Sequence, residues 1–273
     1  MYFDCDMKKE VSNLYNSGIP GYKISEKLGI SHGTVYRFLR NEGIVKSISE
    51  ARREYSLNEN YMDNIDTQEK AYILGLYMAD GCNFTPRNDL ILSINKKDTD
   101  LVERVRKEFS SNAPLHIDRE RLVTLHLSSK HLSKTMESHG VVRAKSNILE
   151  FPKLKSELMS HFMRGYLDGD GCIYINNKDI RLSCVSFTSS TRFINGLKEY
   201  LENEYKINSC ITNRHVENME NATLHISGLK KICVLLNILY NNSNIQLSRK
   251  YDKYTYILNK RPKYNGLIKY KGD

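Results

Sequence analysis

Two aspartates ninety residues apart sit in closely similar surroundings. Residues 71–82 read Ala-Tyr-Ile-Leu-Gly-Leu-Tyr-Met-Ala-Asp-Gly-Cys, and residues 161–172 read His-Phe-Met-Arg-Gly-Tyr-Leu-Asp-Gly-Asp-Gly-Cys. Gly75 aligns with Gly165, Ala79 with Gly169 and Asp80 with Asp170 at one constant offset. Asp80 and Asp170 are the residues with chemistry to offer. Two carboxylates held side by side repel each other, and each opposes the dipole of a helix that ends on it. A divalent cation relieves both costs, and paired carboxylates of this kind suit Mg²⁺ and phosphoryl chemistry.

For the pair to meet, each copy must be a helix that ends at its aspartate. The apolar run predicts a buried helix in each copy. Gly81 and Gly171 stand where a helix C′ residue takes positive φ. Gly75 and Ala79 lie one turn apart on one face, as do Gly165 and Gly169. Small residues on that face let two helix backbones approach closely, and glycine inside a helix otherwise costs stability. A repeat of this kind implies two equivalent halves. Asp168 is two residues, about 200°, around the helix from Asp170. It therefore points away and is left out of the site.

Both stretches resemble the LAGLIDADG motif of homing endonucleases, with residues 73–81 and 163–171 aligned to its nine letters. Two intact copies extend the resemblance over about residues 66–260, the monomeric two-motif form. The resemblance implies an α+β fold, with pseudo-symmetric tandem αββαββα repeats whose sheets form a saddle over the DNA major groove. It implies a site-specific endonuclease that hydrolyses a phosphodiester in each strand of a long asymmetric DNA target. Asp80 and Asp170 would be catalytic and would hold Mg²⁺, helped by the backbone carbonyls of Ala79 and Gly169. Lys145, in Arg143-Ala-Lys-Ser146, and Lys250, in Ser248-Arg-Lys-Tyr251, would be the basic catalytic residues. Met78 departs from the pattern, standing where the second copy has Asp168. Two other functions remain open: a DNA-binding transcriptional regulator on a degenerate scaffold, and an intron-splicing maturase that binds RNA. Such regulators tend to lose the acidic pair that this chain keeps. An intein is not expected, because Met1 replaces the nucleophile and the chain ends Lys271-Gly272-Asp273 without His-Asn.

Composition agrees with a polyanionic partner. The 273 residues carry 41 Lys and Arg against 32 Asp and Glu, a net charge of +9. Residues 1–69 hold 9 basic and 11 acidic side chains, so −2; the rest hold 32 and 21, so +11. A basic body of this kind points first to nucleic acid, here double-stranded DNA. No apolar run reaches membrane-spanning length and no signal peptide opens the chain, which suggests a cytoplasmic protein. Cys5, Cys82, Cys172, Cys184, Cys210 and Cys233 include no C-x-x-C pair and no zinc-finger spacing. They read as reduced, mostly buried thiols.

The chain divides into residues 1–45, 46–69, 70–157 and 158–273. The first segment resembles a helix-turn-helix, with Gly29 at the turn and Ser31 capping a helix that would enter a major groove. His32, Thr34, Tyr36, Arg37 and Arg40 would face DNA. Residues 46–69, rich in Asn and Asp towards their end, look like a linker. Each later segment alternates helix and strand as α-β-β-α-β-β-α, and the last ends in a basic tail. Thr124-Leu-His-Leu-Ser128 is echoed by Thr223-Leu-His-Ile-Ser227. Residues 180–188 are expected to pair with a strand starting at Ile173. The non-core strand positions of the first repeat are Ser93, Asn95, Lys97, Thr124, His126 and Ser128. Those of the second are Tyr174, Asn176, Ser186, Thr188, Thr212, Arg214, Thr223 and His225. These hydroxyls, amides and bases can bond base edges and phosphates. His126 and His225 are also candidate metal ligands, although DNA contact is the preferred reading.

Overall fold

The structure, a computed structural model, describes residues 5–17, 19–44, 55–118, 120–143, 148–216 and 219–269. The chain separates into two compact units, Met1–Glu54 and Tyr55–Asp273. No helix among the described residues is long and apolar enough to cross a membrane.

The smaller unit contains α1 (Cys5–Asn16), α2 (Gly21–Leu28) and α3 (His32–Asn41). Val11, Tyr15, Ile24, Val35 and Leu39 form its core. Gly29 ends α2 with φ 65°, a left-handed conformation that glycine adopts without strain. Ser31 then caps α3, its hydroxyl accepting the Thr34 N–H at 3.3 Å.

The larger unit runs through α4 (Gln68–Ala79), β1 (Gly81–Phe84), β2 (Asp89–Asn95), α5 (Thr99–Glu108), β3 (Leu115–Asp118), β4 (Leu122–Ser128) and α6 (Lys130–Ser138). It continues through α7 (Ser156–Asp170), β5 (Gly171–Tyr174), β6 (Cys184–Ser190), α8 (Thr191–Tyr205), β7 (Cys210–Val216), β8 (Met219–Ser227), α9 (Leu229–Tyr240) and α10 (Ser248–Lys260). Two four-stranded sheets result, ordered β1-β2-β4-β3 and β5-β6-β8-β7. Every pairing is antiparallel. Alternation decides the faces: Leu90, Leu92, Val123, Leu125, Val185, Phe187, Leu224 and Ile226 point into one continuous core, while their neighbours point out.

Three details differ from expectation. Residues 55–67 are docked onto the larger unit. The Asn58 N–H donates to the Phe109 carbonyl at 2.8 Å, Tyr61 Oη donates to Glu108 at 2.8 Å, and Met62 is fully buried. The polar composition that suggests a linker is satisfied by α5, the loop after it and α6, where Asp63 meets His131 at 2.6 Å; residues 45–54 lie outside the described part. Residues 180–182 form a 3-10 turn, and the strand begins at Cys184. Asp179 causes this by accepting the Arg181 N–H at 3.0 Å. The thiols are not mostly buried. Cys82, Cys172 and Cys210 are exposed on outer sheet faces, Cys184 is half-buried, and Cys233 is buried. Strand alternation sends the first four outward.

Helices α4 and α7 form the seam of this unit. A Cβ on Gly75 would collide with the Phe162 carbonyl oxygen and lie 2.8 Å from Tyr166 N. A Cβ on Gly165 would collide with the Tyr72 carbonyl and lie 3.0 Å from Leu76 N. The obstacles are backbone atoms, which cannot rotate away. Gly165→Ala is therefore expected to cost about 3 kcal/mol through overpacking. Calorimetry should show the large unit melting roughly 10 °C lower, at about 2–4 °C per kcal/mol for a domain of this size. Gly33, in α3, has nothing within 4 Å of an added Cβ, so Gly33→Ala should not lower the melting point. Equal melting of the Gly165 variant and the parent would contradict the close approach.

Candidate active site

The seam delivers Asp80 and Asp170 to neighbouring helix ends. Both are exposed, whereas the residues before them are buried or half-buried. A Cβ on Gly169 would press on the Ala79 side chain and lie 3.3 Å from Asp80 Oδ2. The carboxylate of one helix thus sits against the last turn of the other. Tyr166 reports the same closeness, since its phenol is pushed up by burial and further by Asp170 and Asp80. Gly81 and Gly171 do not take positive φ. Each begins a strand, and an added Cβ would meet the previous turn, 2.7 Å from the Tyr77 or Leu167 carbonyl oxygen. Glycine is needed there for close approach to the preceding turn.

Asp168 turns away from Asp170, as the helical period requires, and enters a buried polar cluster. Its carboxylate accepts from Tyr72 Oη at 2.8 Å, Tyr240 Oη at 2.6 Å and the Leu247 N–H at 2.7 Å. The last of these opens α10, so the anion also meets the positive end of a helix dipole. Burial lifts the Asp168 carboxyl above its ordinary range, against these bonds and the Lys250 charge. Arg164, fully buried, donates to the Ile245 carbonyl at 3.0 Å, the Leu239 carbonyl at 2.8 Å and His161 Nδ1 at 2.8 Å. Burial and Arg164 push His161 down to about 4, so it accepts as the neutral ring.

Lys250 is buried, not presented to solvent. Its ammonium donates to the Leu167 carbonyl, to Asp168 O at 2.9 Å, Gly169 O at 3.4 Å and Gly171 O at 2.7 Å. It satisfies the orphan carbonyls at the end of α7 and complements their dipole. Burial pushes Lys250 down to about 8 from 10.5. Between those values the unfolded chain holds the proton and the folded chain does not, so this group's contribution to stability rises with pH across that window.

Beside Asp80 lies a cleft of about 280 Å³ lined by Asp80, Ser93, Asn95, Asp98, Gly169 and Arg249, among others. Among the described residues, no group of three or more His, Cys, Asp or Glu side chains is placed to hold a metal ion. The local oxygens are the two carboxylates and the carbonyls that end α4 and α7. That set fits Mg²⁺, which keeps several waters and takes one or two protein carboxylates. Lys250 shares Gly169 O, so that carbonyl is partly engaged.

The other expected residues divide by what already holds them. His126 Nδ1 is 2.8 Å from Asp89 and is engaged within its sheet. Thr223 is buried against Thr188, their hydroxyls 3.1 Å apart. Asn95 Oδ1 accepts from Lys97 N at 3.0 Å, and Asn176 Oδ1 accepts from Lys178 N and Asp179 N, both at 3.0 Å. Those side-chain oxygens shape turns. Ser93 and Thr124 share a 2.8 Å bond on the outer face. Lys97, Tyr174, Thr188, Thr212 and Ser128 are exposed, and Ser186 and His225 are half-buried. In α3, His32, Arg37 and Arg40 are exposed, Thr34 bonds Ser31 at 2.7 Å, and Tyr36 packs beside Gly21. Lys145 and the Arg214 side chain lie outside the described residues. Sequence reasoning passed over Arg164 and Arg249, and it set Asp168 aside as pointing away from Asp170. An arginine and an aspartate four residues apart in an apolar helix were the available signal.

Removing Asp168 strands two tyrosines, a helix N-terminus and a buried lysine. Asp168→Ala is expected to destabilise the chain by about 3–5 kcal/mol. Asp80→Asn, at an exposed helix end, should stay within about 0.5 kcal/mol of the parent. Urea unfolding of the two variants tests the contrast. Equal, small losses would show that the Asp168 cluster does not hold the seam.

Comparison with known proteins adds the following. A comparison with curated proteins finds no match. Several solved structures resemble this one, among them the following three. The I-LtrWI LAGLIDADG homing endonuclease bound to target DNA is 14% identical, with a TM-score of 0.46, covering 77% of this chain and 94% of that one. The meganuclease I-SmaMI bound to uncleaveable DNA is 11% identical, TM-score 0.49, covering 71% and 90%. The N-terminal LAGLIDADG domain of DUF199/WhiA is 13% identical, TM-score 0.42, covering 70% and 92%. At the level of sequence families, residues 157–240 match the LAGLIDADG-like domain.

Proposed function

We propose that this chain is a site-specific DNA endonuclease that hydrolyses one phosphodiester in each strand with Mg²⁺. The observation that carries the reading is the placement of Asp80 and Asp170 at the ends of two helices packed through Gly75 and Gly165. The LAGLIDADG-like match over residues 157–240 and the basic charge of residues 70–273 support it. The two sheets, each preceded by a motif helix and ordered alike, would act as pseudo-symmetric halves, one per DNA strand. Their outer hydroxyls and amides would lie along the major groove. The chain would work as a monomer in a cytoplasmic compartment.

Asp80 and Asp170 would hold Mg²⁺, with the Ala79 and Gly169 carbonyls beside them. The chemistry that an ion held there would supply is Lewis acidity towards a water and the leaving oxygen. Lys250 holds the α7 end in place and adds positive potential at the site. Lys145 would serve the other half by the family pattern. Asp80→Asn and Asp170→Asn should each abolish double-strand cleavage, a fall of about 10²-fold or more, while duplex binding survives. Cleavage of a duplex selected from a random library tests this, and full activity in either variant overturns the assignment.

Helices α2 and α3, with the Gly29 turn and the Ser31 cap, would form a helix-turn-helix that reads neighbouring DNA. His32, Arg37 and Arg40 are exposed on α3. A chain beginning at Tyr55 should still cut but bind more weakly and protect a shorter footprint. An unchanged footprint would reassign the small unit to protein binding.

A further inference from the structure

Lys250 and Arg249 are adjacent, yet only one of them is available to a ligand. Lys250 is 3% exposed, and its ammonium is committed to carbonyls at the end of α7. Arg249 has a side chain that is 54% exposed and lines the cleft that holds the Asp80 carboxylate. It is also held in place. Its Nε lies 3.2 Å from both oxygens of Asp98, whose side chain is only 7% exposed. Ser248 reinforces this, donating to Asp100 at 2.9 Å. The clamp uses Nε, one of the five N–H donors of a guanidinium. The two terminal nitrogens keep the planar pair that matches two phosphate oxygens.

Resting on the nuclease reading above, we propose that Arg249 is the residue that grips the phosphate on the Asp80 side of the site, and that Lys250 is a positioning residue. The guanidinium contacts two non-bridging oxygens of the phosphate lying beside Asp80. As the attacking water's oxygen bonds to phosphorus and the bond to the leaving oxygen breaks, negative charge grows on those oxygens. Preorganised donors stabilise that charge. Arg249 transfers no proton: the attacking water gives up its proton to solvent, and the leaving oxygen takes one from solvent. Asp98 keeps the guanidinium from swinging away and fixes its plane.

The arrangement is one-sided. Aligning Lys145 with Lys250 sets Arg249 against Ala144. At that aligned position the first half carries no guanidinium, and its neighbouring Arg143 lies over the Phe84 ring, 5.0 Å from the centroid, so loss of Arg249 falls on one strand. A structural defect would slow both strands alike. The strand difference thus separates phosphate gripping from general destabilisation.

The test uses the full chain and a duplex that it selects from a random library by binding, with a different label on each strand. Single-turnover cleavage with Mg²⁺ should be about 10²-fold slower for one strand and little changed for the other in Arg249→Ala. Nicked duplex should accumulate. The log–log salt slope of binding should become shallower by about 0.9, the share of one phosphate. Arg249→Lys should restore the slope but not the rate, because an ammonium lacks the paired planar donors. Because Arg249→Ala strands the buried Asp98, the double variant Arg249→Ala with Asp98→Asn is measured beside it and should show the same strand bias. Equal rates on both strands, slowed or unchanged, with an unchanged slope overturn the proposal. A parent chain that binds the duplex but never cuts it overturns the nuclease reading instead. The slope then decides Arg249, and an unchanged slope rejects it.

Discussion

The molecule depends on two helix backbones touching where ordinary side chains would stand. Gly75 and Gly165 each face the other helix's carbonyl and amide atoms. The distance between α4 and α7 is thereby set by main chain, which does not repack. With larger residues the helix ends would separate and Asp80 would leave the last turn of α7. Glycine costs helix propensity at both positions, and burial around the seam offsets it: every residue from Ala71 to Ala79 is buried.

Such a contact concentrates backbone poles and charge in a dry place, and in the second half the chain answers with a polar cluster. Asp168, Arg164 and Lys250 satisfy one another's neighbourhood in the second half. The first half places Met78 at the corresponding position, 2% exposed. The paired halves therefore share an architecture while differing in what stiffens them. The α7 end is held by ionic and hydrogen-bonded groups. Buried ionic groups of this kind are weak evidence for stability, but breaking one partner is costly.

Much of this was legible in the residues. The aspartate repeat, the glycine face and the alternating strands were visible because each depends on local spacing, and local spacing survives in a string of letters. Asp168 shows the limit. Its direction followed from the helical period, but its partners Tyr72, Tyr240 and Leu247 are distant in sequence. Arg249 and Lys250 show another limit. Two adjacent basic residues differ by one helical step, and which of them faces the carbonyls depends on how α10 is set against α7. Residues 55–67 misled because Asn and Asp serve equally well in solvated linkers and in segments whose groups are bonded to a neighbouring helix.

The distance along the chain between Asp168 and its partners carries a consequence for synthesis. Leu247 lies 79 residues later, and the Lys250 ammonium that bonds Asp168 O lies 82 residues later. A ribosome adds about 5–20 residues per second, so Asp168 emerges several seconds before the groups that neutralise it. During that interval α7 cannot close on α4 with its carboxylate both charged and buried. The first half can complete its sheet in the meantime, since β1 to β4 draw only on residues 81–128. The seam is thus the last part of the large unit able to lock. An early stop before residue 247 yields a chain with two sheets but an open joint, exposing the apolar faces of both motif helices to chaperones and proteases.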